Sequence, residues 1–149
     1  VEIWGDARGR VPVSGGELNI LLSFSGEHAM ARFSRVGIVI STAFGSRLFL
    51  CSTEMTVSNP PLINNSSECL CQIPALPLSG GRYLVTLFLE QDRVVQDWLF
   101  DTCVLDVQDA DFFGCGRNVP VGHEGQVVLV PHSWHFAEAQ SQHAWAGVR

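Results

Sequence analysis

The feature that most restricts this fold is a period. Apolar residues recur at every second position in short runs, and at helical spacing nowhere over a useful length. In residues 17–25 (ELNILLSFS), Leu18, Ile20 and Leu22 alternate with Asn19, Leu21 and Ser23. Residues 36–42 (VGIVIST) are apolar on both faces, which predicts a strand in the middle of its sheet. Gly45 and Ser46 then turn the chain into residues 47–53, the expected hairpin partner. Residues 1–4, 68–73 and 82–91 read as further strands. Residues 94–107, after a tight turn at Asp92 and Arg93, read as one bent strand or two. The one weak helical candidate is residues 27–34.

The punctuation between these runs is equally clear. Residues 57–67 hold Asn59-Pro60-Pro61 and Asn64-Asn65-Ser66-Ser67 and read as a loop. Residues 74–81 (PALPLSGG) read as a turn kept out of any ladder, because proline has no N–H to give. Residues 108–122 form a second loop. Residues 125–136 (GQVVLVPHSWHF) are a late, self-contained strand that either closes a sandwich or reaches to a partner. Pro131 falls near its end, where a missing N–H does least harm. Roughly eight strands with turns every 8–12 residues predict an all-β fold, an antiparallel β-sandwich of immunoglobulin-like or jelly-roll type.

One sandwich domain over residues 1–136 and a loose, polar tail over 137–149 are expected. The opening VEIW reads as a strand already under way, so the domain is expected to be a piece of a longer protein.

Apolar residues make up 46% of the chain and charged residues only 16%. So little charge predicts that part of the surface is covered by a partner or a second copy. The net charge is −6, and all nine basic residues are arginine. An acidic chain without a basic cluster is a poor binder of nucleic acid or of an anionic membrane surface. The apolar runs are too short to span a bilayer.

Catalytic and metal chemistry find little to work with. Cys51, Cys69, Cys71, Cys103 and Cys115 lack zinc-ligand spacing and read as small buried apolar residues with reduced thiols. Cys69 and Cys71, two apart, share one face of a strand. His132 and His135, three apart, point to opposite faces of a strand and cannot share an ion. Asp97, Asp101 and Asp106 read as turn and edge residues, with no second carboxylate placed opposite. Gly114-Cys115-Gly116-Arg117 has neither the lysine nor the following helix of a phosphate loop, and nothing pairs His123 with Cys115 as a base. No cofactor site is expected. A sandwich without a nucleophile–base pair is most often a binding or interaction module.

Several ordered segments resemble one family: VEI, GGELNILLSF, VGIVIST, QIPALPLSGGRYLVTLFLE, QDWLFDTCVLDV and GQVVLVPHSWHF. Together they are similar to the C-terminal carbohydrate-binding domain of Wzt-type proteins. These are the nucleotide-binding subunits of bacterial O-antigen polysaccharide ABC transporters. The resemblance runs from Val1 to about Phe136. It departs at Gln96-Asp97-Trp98-Leu99, where the family tends to have Tyr-Asp-Trp-His, and at Ser133, where it usually has Arg.

The resemblance implies a non-catalytic reader of O-polysaccharide, at its non-reducing end, that serves an exporter. It implies a homodimer, a transmembrane permease met through the full-length parent, a separate ATPase domain in that parent, and a cytoplasmic place at the inner membrane. It also implies that the closing strand can be exchanged between protomers, through Val127, Leu129, Pro131, His132 and Trp134. For the glycan, Arg47, Glu54, Thr56, Gln72 and Arg82 are the candidate contacts, as polar side chains near sheet ends, with Trp98 as the stacking aromatic. The competing expectation is a structural dimerisation or interaction domain with no glycan pocket of its own.

Overall fold

The structure, a computed structural model, describes residues 1–24, 34–58, 68–91, 94–118 and 128–134, with the backbone alone at 91, 94–98 and 100–102. The strands are β1 (Glu2–Trp4), β2 (Leu18–Ser23), β3 (Arg35–Thr42), β4 (Arg47–Ser52), β5 (Glu68–Ile73), β6 (Gly81–Gln91) and β7 (Val94–Val107), with a single-turn helix α1 (Thr53–Thr56) after β4. They form two antiparallel sheets, ordered β1-β2-β5 and β4-β3-β6-β7.

The period-two pattern sets which face turns inward. Leu18, Ile20 and Leu22 of β2 meet Val36, Ile38 and Ile40 of β3, with Tyr83, Val85, Leu87 and Leu89 of β6 and Leu105 and Val107 of β7, in one buried cluster. Each such side chain contributes about 1.5–3 kcal/mol by leaving water. β3 lies between β4 and β6, as its two apolar faces predict, and its outward Val39 is buried as well. Gly45 at φ +84° makes the β3–β4 turn, a left-handed conformation that costs glycine nothing. Tyr83, near the start of β6, donates its hydroxyl to the Ser79 carbonyl at 2.7 Å, four residues upstream, like the tyrosine corner of immunoglobulin-type sandwiches.

One polar residue is buried on the outward face of β2. Asn19 donates from Nδ2 to the Gly5 carbonyl and to the Glu17 carboxylate, each at 2.7 Å, and its Oδ1 accepts from Gln72 Nε2 at 2.8 Å. A buried amide without such partners would cost about 1–3 kcal/mol, so the three bonds explain how it is tolerated. They also tie the first turn to β2 and β5.

Three expectations are corrected. Residues 74–81 are not excluded from pairing. Leu76 donates to Gly16 and accepts from Gly15, and Leu78 forms an antiparallel bridge with Val128. Only the N–H groups of Pro74 and Pro77 are missing, so the residues between still bond on either side. Second, residues 128–134 form no continuous strand. They hold to the domain by that bridge, by the Leu129 N–H on the Pro77 carbonyl at 2.8 Å, by the buried Leu129 side chain and by the His132 ring against Phe113. Third, Cys51, Cys69, Cys71 and Cys103 are half-buried, not buried, and Cys115 is exposed. The helical candidate at 27–34 lies, but for Ser34, outside the described residues, as do the Asp92–Arg93 turn, His123, His135, Val127 and the tail.

Candidate functional site

β4 and β5 are the edge strands of different sheets, and they face each other across the side of the sandwich. Between them lies a cleft of about 350 Å³. Its floor is the core itself, Leu22, Val36 and Ile38. Its walls are Leu50, Cys51 and Ser52 of β4, and Cys69, Leu70, Cys71 and Gln72 of β5. Thr53, Met55, Thr56 and Val57 close one end. The cleft exists because β4 stops pairing at Ser52, where the chain turns into α1 instead of continuing the ladder.

The geometry of that turn is set by two side chains. Thr53 Oγ1 accepts the Val36 N–H at 3.2 Å, taking a place the ladder has vacated. Arg35 then ties three elements together. It donates to Ser52 Oγ at 3.0 Å and pairs with Glu90 of β6 at 3.0 Å and with Glu54 of α1 at 3.1 Å. Its guanidinium also sits 5.0 Å from the centre of the Phe88 ring. The fork of an arginine suits such a shared role; a lysine would make one contact at a time. The sequence offered no sign of Arg35 beyond its place at the mouth of an apolar strand.

The predicted contacts fall into two groups. Thr56 and Gln72 both line the cleft, and Glu54 stands beside it on α1. Arg47 opens β4, at the end of that strand away from the cleft. Arg82 lies at the β6–β7 end, where Nε meets Asp106 Oδ1 at 2.8 Å and Nη2 meets Oδ2 at 3.4 Å. The pairing raises the Arg82 pKa and lowers that of Asp106. Trp98 has only its register described: one cross-strand row runs from Ser52 at the cleft wall through Gly37 and Phe88 to Trp98, which places Trp98 on the strand of this sheet farthest from the cleft.

The predicted dimer contacts lie on the arm. Leu129 is buried, while Pro131, His132 and Trp134 are exposed, Trp134 at 77%. The ring of His132 stands 5.2 Å from that of Phe113 and 6.3 Å from that of Trp134, both edge-on. Phe113 is carried by a turn that Asp111 holds: its Oδ2 accepts from the Gly116 N–H at 2.6 Å and its Oδ1 from the Cys115 N–H at 3.0 Å.

The Gly116 bond, with the Cys115 bond behind it, holds the Asp111 pKa below the ordinary 3.8, against the opposing effect of desolvation. A depressed carboxylate stabilises the fold above its unfolded pKa, and the effect is lost as pH falls through the folded value. The amide proton shifts of Cys115 and Gly116 are therefore expected to titrate with a midpoint below 3.8. Asp111→Asn should abolish that titration; a midpoint at or above the ordinary value would refute the assignment.

Among the described residues no His, Cys, Asp or Glu group of three could hold a metal ion, and no helix is long and apolar enough to cross a membrane.

Two antiparallel sheets around one core, open at one edge into an apolar-floored cleft with a polar rim, define the class: an immunoglobulin-like β-sandwich module. Residues 2–117 match the family described as the Wzt C-terminal domain. The chain belongs to the Wzt C-terminal domain family. A solved structure, "Crystal structure of the C-terminal domain of wzt", superposes with a TM-score of 0.59 at 13% identity, over 91% of this chain and 80% of that one. No curated protein matches the chain.

Proposed function

We propose that this domain is a non-catalytic reader of bacterial O-antigen polysaccharide, at its non-reducing end, and the substrate-recognition module of an ABC exporter. The observation that carries the reading is the edge cleft, taken with the family. Its apolar floor offers dispersion contact to the C–H face of a sugar ring, Thr56 offers its hydroxyl, and Gln72, whose Nε2 bonds Asn19, offers its amide oxygen to the ring hydroxyls. Glu54 stands beside the same cleft on α1, while Trp98, on β7, is three strands away from β4 and is a peripheral member of the proposed set. Arg82 is committed to Asp106 and Arg47 stands at the far end of β4, so both are peripheral members as well.

The domain works as a homodimer, and the exposed arm at residues 128–134 is the element that a second copy covers or exchanges, with Val127 just before it. The parent protein supplies the ATPase domain and the contact with the transmembrane permease, at the cytoplasmic side of the inner membrane. The low charge of the chain and the exposed Val128, Val130 and Trp134 favour a second reading, an interaction domain without a glycan site.

Calorimetric titration with the O-polysaccharide of the source strain, against a foreign one, separates the two. Selective binding is expected. Thr56→Ala and Gln72→Ala should each weaken it by about 3–10-fold, the worth of one hydrogen bond. Arg82→Ala, at the periphery of the set, should weaken it less than either. Absence of binding to either polymer by a folded dimer would leave the interaction reading standing.

A further inference from the structure

Cys51 and Cys71 occupy matched places on the two facing edges. Cys51 lies on the inward face of β4, opposite Ile38, and Cys71 on the inward face of β5, opposite Ile20. β4 and β5 belong to different sheets and share no ladder. Even so, the two thiols line one cleft from its facing walls, and each is near enough to shift the ionisation of the other. Both are half-buried and both line the cleft, whose rim carries the exposed Leu70, Gln72 and Thr56, so a small reagent can reach them. Cys69 faces Leu22, one pair further along, and Cys103 stands on β7.

We propose that Cys51 and Cys71 form a reversible disulfide that joins the two sheets across the cleft, made by exchange with a small-molecule disulfide. The Cys51 thiolate attacks one sulfur of that disulfide; the S–S bond breaks and one small thiolate leaves. Cys71 gives its proton to the departing thiolate and attacks the Cys51 sulfur of the mixed disulfide, expelling the second small thiolate, which takes the Cys51 proton back from solvent. Two protein thiols are oxidised to one disulfide, and one small disulfide is reduced to two thiols.

The chemistry suits this order of attack. The neighbouring Cys71 thiol pulls Cys51 below the ordinary thiol value despite burial, which favours Cys51 as the attacking thiolate. The same pairing, with burial, pushes Cys71 up, which makes it the resolving partner. The inference does not depend on what the cleft binds.

The test uses the whole chain, incubated with oxidised glutathione, alkylated, digested without reduction and mapped by mass spectrometry. The expected product is a peptide pair linked through Cys51 and Cys71, released by dithiothreitol. The oxidised protein should melt about 5–10 °C higher than the reduced one, as a cross-link between separate sheets requires. Linkage of Cys51 to Cys69, to a second copy, or to glutathione alone would overturn the proposal. So would a 51–71 link that lowers the melting temperature.

Discussion

Leu78→Ala is expected to lower the unfolding free energy by about 3 kcal/mol, as much as truncating a residue in the middle of a core strand. Leu78 is 0% exposed and belongs to the buried cluster, although it sits between two prolines and two glycines in a segment with the composition of a turn. It fills the end of the sandwich where β5 has finished and β6 has not begun, and it carries the bridge to Val128. The loss is therefore double: a cavity in the core, and a weaker seat for the arm. Urea unfolding gives the first, as a shifted midpoint at unchanged slope. Faster exchange of the Leu129 amide gives the second, since that N–H bonds the Pro77 carbonyl next door. A cost under about 1 kcal/mol would mean that residues 74–81 are the surface turn their composition suggests.

Gly37→Ala is the second large effect, expected at about 3 kcal/mol and from the opposite cause, too much matter in place of too little. Gly37 and Phe88 are register partners on the outward face of the β4-β3-β6-β7 sheet. A Cβ at Gly37 would come within 1.9 Å of the Phe88 ring, which lies across the bare glycine and is itself buried. The ring cannot swing away freely, because the Arg35 guanidinium lies 5.0 Å from its centre and three further contacts hold that group in place. The double variant Gly37→Ala with Phe88→Leu should cost less than the sum of the single ones, since a smaller side chain leaves room for the methyl. Strict additivity in a double-mutant cycle would show that the two positions do not touch.

The strands were legible in the sequence because alternation reports directly on which side chains share a face. That is why ELNILLSFS, VGIVIST and RYLVTLFLE fell close to β2, β3 and β6. The sandwich followed from their number and spacing. How one sheet sits on the other leaves no such mark. The facing of β4 and β5, and with it the cleft, depends on contacts between residues far apart in the chain, and no local period encodes those. Thr56 and Gln72 could be picked out as polar residues at strand ends, but so could Arg82, which proved to belong to a pair on another edge. Arg35 carries no such mark in the sequence, because its partners, Glu54 and Glu90, lie on α1 and β6 and meet it only in the folded chain.

β7 is the longest strand of the domain, fourteen residues, and among the described residues it is paired along one side only. A free strand edge of that length is a template on which any extended chain can add itself, and sandwiches that survive at high concentration must spoil it. This one does so in two ways. The β6–β7 register slips twice, between Val85 and Leu87 and again between Leu89 and Glu90, so the ribbon is not a straight rail. Its sequence holds Asp97, Asp101 and Asp106 and no basic residue, so two copies of β7 carry charge of one sign. That like charge is a guard against the addition of one β7 to another. The guard is electrostatic, so it weakens in acid and in strong salt, where a crowded solution of the domain has least to keep its edges apart.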